Sequence, residues 1–92
     1  MPIEIVWSSR ALARLEDIRA YVAMDKPDAA ERLAIRIVSV VEALRNHPYL
    51  GRAGAAAGIR ELVIGGTPYI VHYRVHGKRV TINTIWHGRQ QS

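Results

Sequence analysis

The chain has 92 residues, which sets an expectation of one domain over residues 1–92, near the lower limit for folding without staples. It contains 0 cysteines, which excludes disulfides, thiolate metal sites and a cysteine nucleophile and fits a reducing cytoplasm. A hydrophobic fraction of 49% is too high for a disordered chain, and a net charge of +5 favours encounter with nucleic acid or an acidic protein unless it serves solubility alone.

No apolar run approaches the ~20 residues that cross a bilayer, since Leu33-Ala34-Ile35 is cut by Arg36. The start, Met1-Pro2-Ile3-Glu4, lacks the basic stretch and apolar centre of a secretory signal. These features predict a cytoplasmic protein without a membrane partner.

In chain order, Ile3, Ile5 and Trp7 alternate with Glu4 and Val6, which predicts a first strand. Ser8 and Ser9 then offer side-chain oxygens to the unpaired amides of a helix start. Ala11, Leu15, Ile18 and Val22 follow at helical spacing. The run Asp25-Lys26-Pro27-Asp28 ends this helix and opens a second, because proline is tolerated in a first turn. The second apolar stripe is Leu33, Ile37, Val40 and Leu44, and it stops at Asn46-His47-Pro48. Two stripes with a short connection predict a helical hairpin, and Gly51, Gly54 and Gly58 punctuate a following loop.

Three strands come next, at Ile59–Ile64, Tyr69–Val75 and Arg79–Trp86. A turn at His76-Gly77 would set Val75 opposite Lys78, Tyr73 opposite Val80 and Val71 opposite Ile82. Tyr69, Val71, Tyr73, Val80 and Ile82 then share the core face, and Ile70, His72, Arg74, Arg79, Thr81 and Asn83 share the other. A two-residue turn at Gly65-Gly66 sets Arg60 on the core face. A three-residue loop, the preferred reading, sets Arg60 beside His72 and turns Glu61 inward to meet a helix arginine. The expected class is therefore α+β, ordered β-α-α-β-β-β, with a mainly antiparallel sheet packed by the N-terminal hairpin.

Four arginines, Arg60, Arg74, Arg79 and Arg89, are candidates to converge on one face, where guanidinium forks suit phosphate or carboxylate. The competing reading is separate solvated side chains, some paired with Glu61 or Glu42. Arg52 in the glycine loop is a further contact candidate. His87 and His72 titrate near neutrality and suit proton transfer, or else are ordinary strand histidines. The four histidines lack metal-like spacing, so neither a metal nor another cofactor is expected. Trp7 and Trp86 suit base stacking less well than burial or a partner groove. The small residues Ala29, Ala30 and Ala34 invite close approach of another helix, or pack on Leu12 and Ile18 within the hairpin.

The ordered set carries a family likeness. It comprises Trp7, Tyr21-Val22-Ala23, Asp28-Ala29-Ala30, His47-Pro48 and Gly51-Arg52. Gly58-Ile59-Arg60-Glu61-Leu62, Tyr69-Ile70-Val71-His72-Tyr73-Arg74-Val75 and Ile85-Trp86-His87-Gly88-Arg89 complete it. Over essentially its whole length the chain resembles the RelE/ParE superfamily of type II toxin–antitoxin toxins, from bacterial or plasmid sources. The resemblance implies a sheet clasped by a helical hairpin and a cognate ParD-like antitoxin, with operator DNA met only through that antitoxin. RelE-like members cut mRNA on the ribosome, with arginines and lysines at the scissile phosphate and a terminal tyrosine or histidine for proton transfer. That branch typically carries arginine where Ile70 stands here, and no tyrosine follows Arg89 in Gln90-Gln91-Ser92. The Arg-Glu-Leu run and the His-Gly-Arg ending are similar to the ParE branch, known for poisoning DNA gyrase without chemistry of its own.

The resemblance thus implies a gyrase-binding inhibitor more than an enzyme. Its target contacts are expected at Arg52, Arg60, Arg74, Arg79, His87 and Arg89. Antitoxin contacts are expected at Leu12, Leu15, Ala30, Leu33, Ala34, Ile37 and Trp86. The alternative, a ribosome-dependent endoribonuclease, would use Arg60, His72, His87 and Arg89.

Overall fold

The computed structural model describes residues 3–88. Its elements run β1 (Glu4–Trp7), α1 (Ser9–Ala23), α2 (Pro27–Glu42), a 3₁₀ turn (Ala43–Arg45), β2 (Arg52–Ala53), β3 (Arg60–Val63), β4 (Tyr69–His76) and β5 (Arg79–His87). The fold is α+β, with one sheet in the order β1-β5-β4-β3-β2. All neighbouring strands are antiparallel except β1 and β5, which run parallel.

The helix boundaries have local causes. Ser8 caps α1, its Oγ accepting from the Ala11 amide at 3.0 Å while donating to the Asn83 carbonyl at 2.8 Å. One hydroxyl therefore starts the helix and ties it to β5. Pro27 occupies the first turn of α2, beside the acidic Asp28, as the dipole favours. The hairpin covers one face of the sheet. Ile18, Ile37, Val41 and Leu44 pack there with Leu62, Val71, Tyr73, Val80, Ile82 and Ile85. Each such side chain withdrawn from water stabilises the fold by roughly 1.5–3 kcal/mol before entropy is charged against it.

The β4–β5 register differs from the expected one. His76 pairs with Arg79, so the turn is Gly77-Lys78, and Tyr73 lies opposite Ile82 rather than Val80. Gly77 has φ +61°, and a two-residue turn with a left-handed first position wants glycine there. The slip is two residues, an even number, so every side chain near the turn keeps its expected face. Further along, the register shifts again between His72 and Tyr73, where Asn83 is the extra residue of β5. This bulge reverses the alternation. Ile85 instead of Thr84 turns to the core, opposite Val71, and Thr84 joins the face expected for Asn83, where it lies opposite His72.

Two more expectations change. The glycine loop contains the short strand β2, which pairs Arg52 with Glu61 and Ala53 with Arg60. The β3–β4 connection takes four residues, 65–68, since Ile64 N–H still donates to the Tyr69 carbonyl at 3.0 Å. That parity sets Arg60 opposite Tyr73 and Glu61 opposite His72, the reverse of the preferred assignment.

Candidate functional site: the open face of the sheet

The face away from the helices is uncovered and ordered in rows across the strands. Val63, Ile70 and Trp86 form an apolar row. Next to it Arg52, Glu61, His72 and Thr84 form a polar row. Arg74 and Thr81 follow, and the exposed His76 and Arg79 close the face at the turn. The rows arise because even spacing along each strand puts alternate residues on one side.

In the polar row, Arg52 Nη2 lies 3.2 Å from Glu61 Oε1. Glu61 Oε2 lies 4.0 Å from His72 Nε2, which is beyond hydrogen-bond reach. The Trp86 indole stacks on His72 with centroids 4.4 Å apart and planes 27° from parallel. Burial pushes the His72 imidazole below its ordinary pKa, and the Glu61 carboxylate partly opposes this. His72 is thus sheltered although it belongs to the open face.

Arg60 does something else. On the helix side of the sheet its Nε donates to the Gly51 carbonyl at 3.0 Å, and its guanidinium lies 5.2 Å from the Tyr49 ring centre. Beside it the Tyr73 hydroxyl donates to the Pro48 carbonyl and accepts from the Gly51 amide, both at 2.8 Å. The two side chains clamp residues 48–51 against the sheet. A Cβ on Gly51 would sit 2.7 Å from the Glu61 carbonyl and 2.8 Å from the Tyr73 ring, so no larger residue fits. Arg60 is a structural tie here, contrary to its expected place beside His72.

His87 is on the helix side too, opposite Tyr69, with their rings edge to face at 5.4 Å. Together with Arg14, Asp17, Ile18 and Tyr21 they line a cleft of about 260 Å³ at the end of the sheet. Arg14 Nε donates to the Ile85 carbonyl at 3.0 Å, which fixes the guanidinium at this mouth. Burial raises the Tyr69 phenol above its ordinary pKa, neighbouring Tyr21 adds to the rise and Arg14 counters it.

The candidate residues therefore divide. Arg52, Arg74 and Arg79 are exposed, with Arg79 Nε 3.1 Å from Glu4 Oε1 and Arg74 Nη1 3.4 Å from the Ala57 carbonyl. Of the four arginines expected to converge, Arg74 and Arg79 share the open face, Arg60 is turned to the other, and Arg89 lies outside the described residues. The set His72, His87 and Arg60 is not brought together. Among the hairpin residues, Leu12 is exposed and Leu15, Leu33 and Ala34 are half-buried. Ala30 and Ile37, at 1% and 0% exposure, are core residues and present no surface. Trp86 lies on the sheet face opposite the hairpin, apart from that group. Sequence reasoning passed over Arg14, Thr84 and the Tyr73 hydroxyl. Arg14 carried a signal, being one step off the α1 stripe, whereas Thr84 depends on the bulge.

Among the described residues no group of histidine, aspartate and glutamate is arranged to hold a metal ion. Among them, likewise, no helix is long and apolar enough to cross a membrane.

Comparison with known proteins decides the family. The family described as the ParE toxin of the type II toxin–antitoxin system parDE matches residues 5–92. The chain belongs to this ParE toxin family. It is 46% identical over 87 residues to Y4kP of Sinorhizobium fredii, whose name marks it as a candidate toxin, covering 95% of this chain and 90% of that protein. It is 40% identical over 84 residues to Toxin RelE2 of Caulobacter vibrioides, covering 91% and 93%. A solved structure described as the chromosomal ParDE system from P. aeruginosa superposes with a TM-score of 0.86 at 26% identity, over 92% of this chain and 95% of that one. The YoeB dimer from Staphylococcus aureus shares the fold with a TM-score of 0.59 at 15% identity, over 89% and 92%. The ParE family likeness thus extends over β1 to β5.

Proposed function

We propose that this ParE-family toxin is held by a cognate antitoxin and acts by binding DNA gyrase, without cutting RNA. The observation that carries the reading is the dispersal of the residues a nuclease would need. His72 and His87 lie on opposite faces, and Arg60 spends its donors on the carbonyls of Tyr49 and Gly51. Ile70, in line with Val63 and Trp86, adds an apolar surface where a scissile phosphate would want a cation. General acid–base chemistry needs its groups within hydrogen-bond reach of one substrate, and among the described residues Arg60, His72 and His87 do not meet that need. A face with an apolar row beside exposed arginines suits a protein surface instead, with Arg52, Arg74 and Arg79 as target contacts.

The antitoxin reading draws on the ParDE system among the structural relatives. An amphipathic helix would lie along the hairpin over exposed Leu12 and half-buried Leu15, Leu33 and Ala34. Operator DNA would be met through that antitoxin. The runner-up, a ribosome-dependent endoribonuclease, draws on the relatives named RelE2 and RelE1, at 40% and 29% identity.

Two assays on the purified toxin separate the readings. Gyrase supercoiling should fall at near-stoichiometric toxin while message stays intact on translating ribosomes. Cuts in ribosome-bound mRNA at low toxin concentration, with supercoiling unchanged, would overturn the gyrase reading in favour of the nuclease.

A further inference from the structure

The polar row of the open face holds two buried groups without a hydrogen bond. His72 is 8% exposed and Thr84 6%, and neither His72 Nε2 nor Thr84 Oγ1 has a hydrogen-bond partner. They stand opposite one another on β4 and β5, and Glu61 stands opposite His72 on β3. Unmet polar atoms in sheltered positions cost free energy, so the persistence of an unpartnered His72 Nε2 near a carboxylate points to a second arrangement in which that nitrogen is met.

We propose that Glu61, His72 and Arg52 form a proton-operated switch, in which protonation of His72 transfers Glu61 from Arg52 to the imidazole and releases Arg52 onto the open face. The proton comes from solvent. Once both ring nitrogens carry hydrogen, Nε2–H becomes a charged donor, and the 4.0 Å gap to Glu61 Oε2 needs about 1 Å of closure to make a hydrogen bond. Glu61 sits on the short strand β3, between Arg52 on the edge strand β2 and His72 on β4, and its present partner Arg52 is highly exposed, with 68% of its side chain in solvent. The Glu61 side chain is itself sheltered, at 11% exposure, so the carboxylate needs a charged partner in either state and can exchange the solvated Arg52 for a protonated His72.

The groups facing His72 come from three other strands and from β4 itself. Glu61 on β3 favours the charged ring. Arg52 on β2 holds that carboxylate, and Arg74 stands two residues along β4 on the same face. From β5 come only the uncharged Thr84 and Trp86. Burial is the larger influence and outweighs Glu61, so the switch operates below the ordinary value of 6.5. Its use rests on the open face being the surface that meets the target, where a freed Arg52 adds a cation beside the Val63–Ile70–Trp86 row.

The ring reports on itself. NMR titration of His72 in the whole toxin should show a midpoint below 6.5. Arg52→Ala, a change at an exposed side chain, should move that midpoint up, because it leaves Glu61 to the imidazole. Glu61→Gln should move it down. In a Trp7→Phe background, Trp86 emission should follow the same midpoint, and His72→Gln should abolish the step. Midpoints unmoved by Arg52→Ala and Glu61→Gln, or an emission step that survives His72→Gln, would overturn the switch. Should His72→Gln fold poorly, the ring titration with Arg52→Ala decides the question. Gyrase left untouched at every pH would refute the proposed target, whereas the ring titration reads the switch regardless.

Discussion

The two sides of the sheet differ in what holds them. The covered side is closed by shape: Tyr73, Val80, Ile82 and Ile85 are fully buried under the helices. The open side is organised by a few polar pairs and one ring stack, with Arg52, Arg74 and Arg79 left in solvent. Close packing tolerates little change, while exposed pairs tolerate much. The open side can therefore be altered without loss of the fold.

The contrast should break first at the covered side. Ile82→Ala, at a position with 0% exposure, should cost about 2–5 kcal/mol in urea unfolding. Ile35→Ala, on the outer side of α2 at 64% exposure, should stay within about 0.5 kcal/mol. A similar loss at both positions would mean that the helices do not pack as described.

Tyr73→Phe tests the clamp. It removes the oxygen that serves both Gly51 and Pro48, and should cost about 1–3 kcal/mol. Hydrogen exchange of the Gly51 amide should accelerate at the same time. Arg60→Ala should cost about 1–2 kcal/mol by freeing the same segment. Reading Arg60 as an exposed target contact would predict no such loss.

On the open side the effects shrink. His72 has a folded-state pKa pushed down, so its contribution to stability is complete above 6.5 and is lost as pH falls through the lower folded value. Unfolding midpoints of the wild type should therefore decline from pH 7 to pH 5 more steeply than those of His72→Gln. Arg79→Ala breaks an exposed pair with Glu4 and should shift stability by less than about 0.5 kcal/mol. Under the proposed function, an effect of that change on gyrase supercoiling would then report contact with the proposed target.

These contrasts also mark where the sequence was legible. The hairpin could be read because Ala11, Leu15, Ile18, Leu33, Ile37 and Leu44 repeat at helical spacing, and Ser8 and Pro27 mark the starts. The core face of β4 and β5 could be read for a different reason. An error of two residues in the register leaves alternation intact, so Tyr73 and Ile82 stay inward under either turn. For β3 the parity depended on the length of one connection, and with it the fates of Arg60 and Glu61 were exchanged. The bulge at Asn83 left no mark in composition, yet it sends Trp86 to the open side and His87 to the other.

The sequence by itself determined the α+β class, the order of elements apart from β2, the apolar side of the two helices and the family likeness, because these follow from local periodicity and from an ordered set of residues. The tertiary structure alone decided which arginine is a tie and which is free, and which histidines can share a substrate. Those outcomes depend on strand pairing between residues distant in the chain, where a single added residue reverses every side chain beyond it.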